Sequence, residues 1–182
     1  MGARWSNTAL TPVDVAPVLA YKTSNSGTLS SKQKQLINES WKVVSRNMKE
    51  FGVEFFVRLF HKHAEYKNVF PAFRDENVED LSTSIVLRAH ATIVMQTIMA
   101  SLKYLDDPEG LKRHLYRIVG IHHKSGVRKQ HYQNMFDMMI EMLAEHNDSF
   151  GQLHYEAWYI VTNKLLVCIR QILDAIDAEY DT

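Results

Sequence analysis

Two of the nine histidines in this 182-residue chain stand where a histidine can do chemistry. In "RIVGIHHKSGV", residues 117–127, stepping from Leu111 to Leu115, Ile118 and His122 stays on one apolar face of a helix. His123 falls about 100° further round, facing solvent or a cofactor's edge. In "LRAHATIVM", His90 sits on a second stripe with Val86, Val94, Ile98, Leu102 and Leu105. One such histidine is ordinarily a hydrogen-bonded core residue. Two, on separate helices, suit a metal or cofactor gripped between facing helices, because neutral imidazole is the commonest protein metal ligand and needs an apolar wall. Zinc competes for such a pair, but zinc sites recruit three or four protein ligands. No acid or cysteine shares these stripes, so a metal held here must bring its own equatorial ligands, as haem iron does. The remaining histidines read differently. His61, His114, His131, His146 and His154 fall on polar faces or in loops and are expected to be solvated, while His63 lies near a helix end where terminal carbonyls can meet it.

The elements that must position the pair are helical almost without interruption from Thr28. "TLSSKQKQLINESWKVVS" offers Ser30 as an N-cap and then Leu36, Ile37, Trp41 and Val44 at helical spacing. "EFGVEFFVRLFHKH" carries Phe51, Phe55, Phe56, Leu59 and Phe60 into the bend "NVFPAFRDENVED". The helix of His90 ends at "DDPEG", and that of His122 at Gly126, as glycines end helices. "HYQNMFDMMIEML" and a last helix with Trp158, Val161, Leu165, Cys168, Ile169 and Ile172 complete the set. No strand-like alternation or repeat interrupts it, which predicts an all-α fold of about seven to eight helices. The division expected is an N-terminal arm over 1–27, disordered by its proline and small polar content, a helical domain over 28–175 and a tail over 176–182.

Composition narrows the function. Twenty-one basic against twenty-one acidic residues give zero net charge, which excludes the electrostatic footprint of a nucleic-acid binder. Cys168 is the one cysteine, on an apolar stripe, so no internal disulfide forms and a core thiol in a reducing, cytoplasmic setting is expected. No run approaches the about 18 apolar residues of a spanning helix. The opening "MGARWS" meets the M-G-x-x-x-[ST] pattern for myristoylation of Gly2, and only that modification would bring the chain, weakly, to a membrane. No nucleophile–base arrangement or phosphate-binding glycine loop is present, so no enzymatic activity is expected.

Over about residues 28 to 175 the chain resembles the globin family, a haem-pocket fold the general rules of helix packing already describe. "LSSKQKQLINESW" resembles the first globin helix with its tryptophan, Trp41. "RLFHKHAEYKNVFPAF" resembles the second and third helices and the corner after them, with Phe70 at the family's haem-packing phenylalanine. "LRAHATIVM" resembles the distal helix, "IVGIHHKSGV" the proximal helix and "EAWYIVTNKLL" the last. The match is gap-free with the neuroglobin-like, invertebrate-type pattern from Trp41 through Val127. In that pattern the proximal histidine lies four residues before the glycine of "GV", which again selects His122; counting from Gly120 would select His123.

The resemblance implies haem b, with His122 as proximal ligand and His90 on the distal side. Phe70 and Phe73 would cover one haem edge, Phe56 would crowd the distal side, and Val94, Ile98, Leu111, Leu115, Ile118, Val127, Tyr132 and Met135 would line the rest. His90 would either donate a hydrogen bond to a bound gas molecule or coordinate iron itself as a competing sixth ligand. The first suits oxygen storage or transport at open, five-coordinate iron. The second suits redox or oxygen signalling with an electron-transfer partner. A haem-free interaction module on the same fold is the reading of another class, and it has no use for His90, Phe70 and His122 together. Two positions depart from the pattern. Ala64 replaces a helix-opening proline, which should loosen the bend. Ile93 replaces a polar residue that meets a haem propionate, leaving Arg88, Lys124 and Arg128 as the weaker candidates for that contact.

Overall fold

A computed structural model describes residues 28–180; the arm over 1–27 and the myristoylation pattern at Gly2 lie outside the described residues. Among those described there are six α-helices and three short 3-10 helices. The α-helices are α1 (Ser31–Arg46), α2 (Met48–Lys62), α3 (Ile85–Ser101), α4 (Pro108–Lys124), α5 (Lys129–Glu145) and α6 (Gln152–Tyr180), and 3-10 turns occupy Ala64–Val69, Asp80–Thr83 and Leu102–Tyr104. Caps follow the sequence closely. Ser30 and Gln33 form a reciprocal capping box at α1. Asp107 accepts from the Gly110 N–H, with Pro108 opening α4. Gly126 takes φ +92°, the left-handed conformation that lets the chain leave α4 and turn at once into α5.

Helices α2 and α3 cross in close contact, α4 lies on α6, and α6 also backs α1 and α5. The α2–α3 crossing depends on Gly52, where a Cβ would stand 3.1 Å from that of Ala91, so any larger residue would push apart the helix that carries His90. A single core runs through Val44, Phe55, Phe60, Leu87, Met95, Met142, Trp158 and Ile172. Inside it the Trp158 indole N–H donates to Ser40 Oγ at 2.8 Å, and Ser40 donates to the Leu36 carbonyl, so both buried polar groups are satisfied. Cys168 is buried as expected, and burial pushes its thiol pKa up, the opposite of an activated nucleophile.

Four sequence expectations change. The buried stripe of α3 is Leu87, Ala91, Met95 and Ile98, whereas Val86, on the expected core stripe, is half exposed. Helix α3 is apolar on two faces, one against α2 and one turned elsewhere, and periodicity alone cannot rank them. For the same reason Ile85–Tyr104 is long and apolar enough to cross a membrane by length and composition, at mean hydropathy 1.4, where the sequence reading found no such run. Helix α6 passes through the boundary expected at 175 and continues to Tyr180, with Ile176 buried and close to Gly120 of α4.

The fourth change concerns His154, which is buried rather than solvated. Its ring stacks on Phe150 and its Nδ1 accepts from the Gly151 N–H at 3.2 Å. Burial lowers its pKa, so the folded chain holds fewer protons than the unfolded one between the ordinary histidine value of about 6.5 and the depressed one. Stability is therefore full above that value and falls as pH drops toward the depressed one. A series of denaturant unfolding curves between neutral and mildly acid pH should show this loss, and His154→Gln should reduce it, leaving the share of His90 and His131, whose pKa values are also lowered.

Candidate functional site

Helix α3 delivers His90 and helix α4 delivers His122 to opposite sides of one cavity of about 470 Å³. The volume is that of a typical small-molecule or cofactor site. Val69, Phe70, Pro71, Ala72 and Phe73 close one end, α3 and α4 form the sides, and Leu165 and Ile169 of α6 contribute to the far wall. The His90 and His122 ring centres are 6.2 Å apart. Two imidazoles sharing one metal, each nitrogen about 2 Å from it, have ring centres roughly 6 Å apart.

The hydrogen bonds set the chemistry of each ring. His122 Nδ1 lies 2.8 Å from the Ile118 carbonyl, which can only accept. The proton is therefore on Nδ1, and Nε2 carries the lone pair, the arrangement that orients a metal-ligating histidine and raises its basicity. His90 is held differently, by aromatic edges. Phe56 and Phe70 each meet it in a T-shaped contact, at 5.2 and 5.3 Å between centroids. Burial first, and repulsion from His122 second, lower its pKa to about 4, so the ring is neutral at physiological pH and its lone pair is free to coordinate.

The other polar groups on the wall are inert or silent. Ser101 donates to the Thr97 carbonyl and Ser125 to that of Ile121. The Tyr132 hydroxyl is buried with no partner among the described residues, its pKa raised by burial, and its ring centre is 6.4 Å from that of His122. No group of three histidine, cysteine or acidic side chains able to hold a metal exists among the described residues, so the zinc alternative lacks its third ligand. His90 and His122 are two imidazoles lining one apolar slot, a donor set that would suit haem, which brings the rest of its iron's ligands with it.

Of the thirteen residues expected at the site, Phe70, Phe73, His90, Val94, Ile98, Leu115, Ile118, His122, Val127, Tyr132 and Met135 line the cavity. Phe56 and Leu111 do not. Phe56 is buried behind the wall and acts on it through His90 and Phe70. Leu111, on the first turn of α4, is part of the protein core. The lining also includes Val119, Phe136, Leu165 and Ile169, which sequence reading placed in helices but not at the cavity. His123 points away and pairs with Asp177 of α6 at 2.8 Å. Ile93 is exposed at the cavity's edge, and the Arg128 guanidinium donates to the carbonyls of His123 and Val127, tying down the turn after α4.

Comparison with known proteins agrees with this geometry. The sequence model of the Globin family matches residues 53–167, well over half of the chain. The chain belongs to the globin family. Haem and the binding of small gases such as oxygen come with that membership. This globin is 33% identical over 116 residues to neuroglobin of Tetraodon nigroviridis, covering 63% of the chain and 73% of the relative. It is 30% identical over 144 residues to cytoglobin-2 of Oryzias latipes, covering 78% of each. Its fold superposes on the hexa-coordinate haemoglobin of Drosophila melanogaster with a TM-score of 0.71 at 22% identity, over 78% of the chain and 94% of the other.

Proposed function

We propose that this globin holds haem b between His122 and His90, with His90 as a competing sixth ligand, and serves intracellular gas sensing or one-electron redox signalling. The 6.2 Å spacing of the two rings carries the reading. An open five-coordinate site for oxygen storage would leave room on the distal side for a gas molecule between imidazole and iron. Here the distal imidazole stands at the distance of a ligand, with Phe56 and Phe70 holding it there.

Haem, when bound, supplies an iron that binds diatomic gases and changes charge by one electron. The chain's part is selection and exclusion. His122 Nε2 is presented as a ligand by the Nδ1 bond to Ile118. The walls of valine, leucine, isoleucine and phenylalanine keep water out, which disfavours charge separation at the metal. His90 reduces apparent gas affinity in proportion to the fraction of time it occupies the sixth position. With His90 and His122 both holding the group, the pocket would need little rearrangement on gain or loss of an electron, which suits an electron-transfer partner. The buried thiol of Cys168 supports a reducing, cytoplasmic setting.

An absorption spectrum tests the reading. The purified ferrous, gas-free protein should show a Soret band and sharp, split visible bands. A single broad visible band would establish the open, oxygen-storing form instead. Absence of any Soret band after exposure to haem would leave only the haem-free module.

A further inference from the structure

A cluster of polar rings outside the cavity joins His63 at the end of α2, Tyr66 in the 3-10 turn Ala64–Val69 and His131 in the first turn of α5. The His63 and Tyr66 rings stack at 4.7 Å between centroids, and that of His131 lies 4.3 Å from Tyr66. Asn134, further along α5, donates from its amide nitrogen to the Tyr66 hydroxyl at 2.8 Å and to His63 Nε2 at 3.2 Å, and accepts from Gln130 at 2.6 Å. The Arg128 N–H donates to His131 Nδ1 at 3.0 Å, which caps α5.

The cluster ties together two segments that both line the cavity. On one side Tyr66 leads through Val69 to Phe70 and Phe73, and on the other Val127 and Tyr132 flank His131 in sequence. Val69 stands against the turn between α4 and α5, since a Cβ placed on Gly126 would lie 3.6 Å from Val69 Cγ1.

The two histidines differ in what a proton would meet. At His63 Nε2 it would face the Asn134 amide, but Asn134 and the exposed Gln130 can both turn their amides end for end, and the Glu65 carboxylate stands 3.7 Å from Nδ1. His131 has no such escape. Its Nδ1 accepts from a backbone N–H, so the neutral ring carries its proton on Nε2. A second proton must go to Nδ1, where it faces a donor that cannot turn round. Charging His131 therefore breaks the cap of α5 and displaces the ring. Of the groups facing it, Glu65 favours the charged form, Arg128 and His63 oppose it, and Tyr66 is the titratable ring it packs on. Burial is the largest influence, and the net effect holds His131 below the ordinary histidine value.

We propose that His131 is an acid-released clamp on the Phe70 end of the cavity. Neutral, it locks the 3-10 turn to the start of α5; charged, it lets that end loosen. The closed clamp binds the proton less well than the open one, so closure is complete above about pH 6.5 and weakens as pH falls toward the depressed value. Phe70 meets His90 edge-on, so loosening also weakens the hold on that ring, a consequence that rests on the role proposed for His90 as sixth ligand. Acidification then favours gas binding, which couples proton and gas through one movable corner.

Hydrogen exchange on the full-length, haem-loaded chain between pH 7.5 and 5.5 tests the clamp. After correction for the intrinsic pH dependence of exchange, protection of the Tyr66, Phe70 and Phe73 amides, each bonded within this corner, should fall by up to about tenfold. That is the most one proton of ordinary pKa near 6.5 contributes by pH 5.5. Amides 161–165 in the middle of α6 report global opening and should not follow. His131→Gln keeps an acceptor for the Arg128 N–H, as glutamine does in a capping box, and His131→Phe keeps an aromatic ring against Tyr66. Neither titrates, so each should remove the fall. Corner protection that is independent of pH in the wild type, or that falls equally in both variants, would overturn the clamp. Carbon monoxide affinity over the same range should rise in the wild type and stay flat in His131→Gln. A flat wild-type affinity beside a pH-dependent corner would overturn the coupling to His90. The gas-free ferrous spectrum of the same sample judges sixth-ligand occupancy, so failure of that reading is seen separately from failure of the clamp.

Discussion

Replacing His122 with alanine should abolish native haem ligation, while replacing His123 should leave it intact. The two residues are neighbours in sequence but their environments share nothing. His122 faces the cavity with its proton fixed on Nδ1 by the Ile118 carbonyl, so its Nε2 lone pair is committed to whatever the cavity holds. His123 is turned to α6 and pairs with Asp177. Losing even an outer-shell partner of a metal-bound histidine costs about 10–100-fold in metal affinity, and losing the ligand itself should cost more. Haem transfer to an excess of an apo-acceptor, followed at the Soret band, should thus be faster by at least that factor for His122→Ala. The His123→Ala rate should stay close to the wild-type one, because His123 meets Asp177 of α6 and does not line the cavity. External imidazole should restore a Soret spectrum to His122→Ala, since the cavity it left is otherwise unchanged. Equal loss in both variants would show that the ligand register is wrong.

That distinction between adjacent residues was legible in the sequence because helical phase is a geometric property: 100° per residue separates His122 from His123 whatever the tertiary structure. The same logic placed His90, Val94 and Ile98 on one face of α3. Phase fails where a helix is longer than what it faces. From Leu111 to His122 is about 16 Å of helix at 1.5 Å per residue. The stripe therefore begins in the core, at Leu111, and reaches the cavity further along, at Leu115. It fails again where two faces are both apolar. On α3 nothing in the residue types separates the face buried against α2 from the face lining the cavity, and the two were interchanged in part. Helix α6 posed the same problem in another form. Leu165 and Ile169 were on a recognisable apolar stripe, but which neighbour that stripe meets is a property of the packing, not of the period.

Histidines at helix ends were the least legible. His154 looked polar because its neighbours in sequence are polar. Its burial comes from Phe150, four residues earlier across the start of α6, and from a local bond to the Gly151 N–H. His63 likewise finds its surroundings in three dimensions, stacked on Tyr66 and in contact with Asn134 of α5. The caps, by contrast, were readable at Ser30, Pro108 and Gly126, since each depends on one residue and its nearest neighbours along the chain.

The role proposed for His90 decides which kind of globin this is, and His90→Leu should expose that decision. Leucine nearly conserves the volume, leaves no unpaired polar atom, and suits an environment already made by Phe56, Phe70 and Val94. The fold should therefore persist while the sixth ligand disappears. The gas-free ferrous spectrum should change from sharp, split visible bands to one broad band. Apparent gas affinity should rise in the same variant by the reciprocal of the fraction of open sites. A tether worth about 2.7 kcal/mol leaves roughly one site in a hundred open, and its removal raises apparent affinity about a hundredfold. The loss of a distal hydrogen-bond donor acts in the opposite direction for oxygen, but carbon monoxide, which depends on such a donor far less, reports the tether alone. The two contributions are separable by comparing the gases. Phe56→Leu offers an independent check, since it removes one of the two aromatic edges that hold the ring without touching either histidine. It should raise carbon monoxide affinity in the same direction by a smaller factor. An unchanged spectrum in His90→Leu, with carbon monoxide affinity at the wild-type value, would establish that His90 stands beside the sixth position without occupying it, and that the 6.2 Å spacing of the rings reflects packing alone.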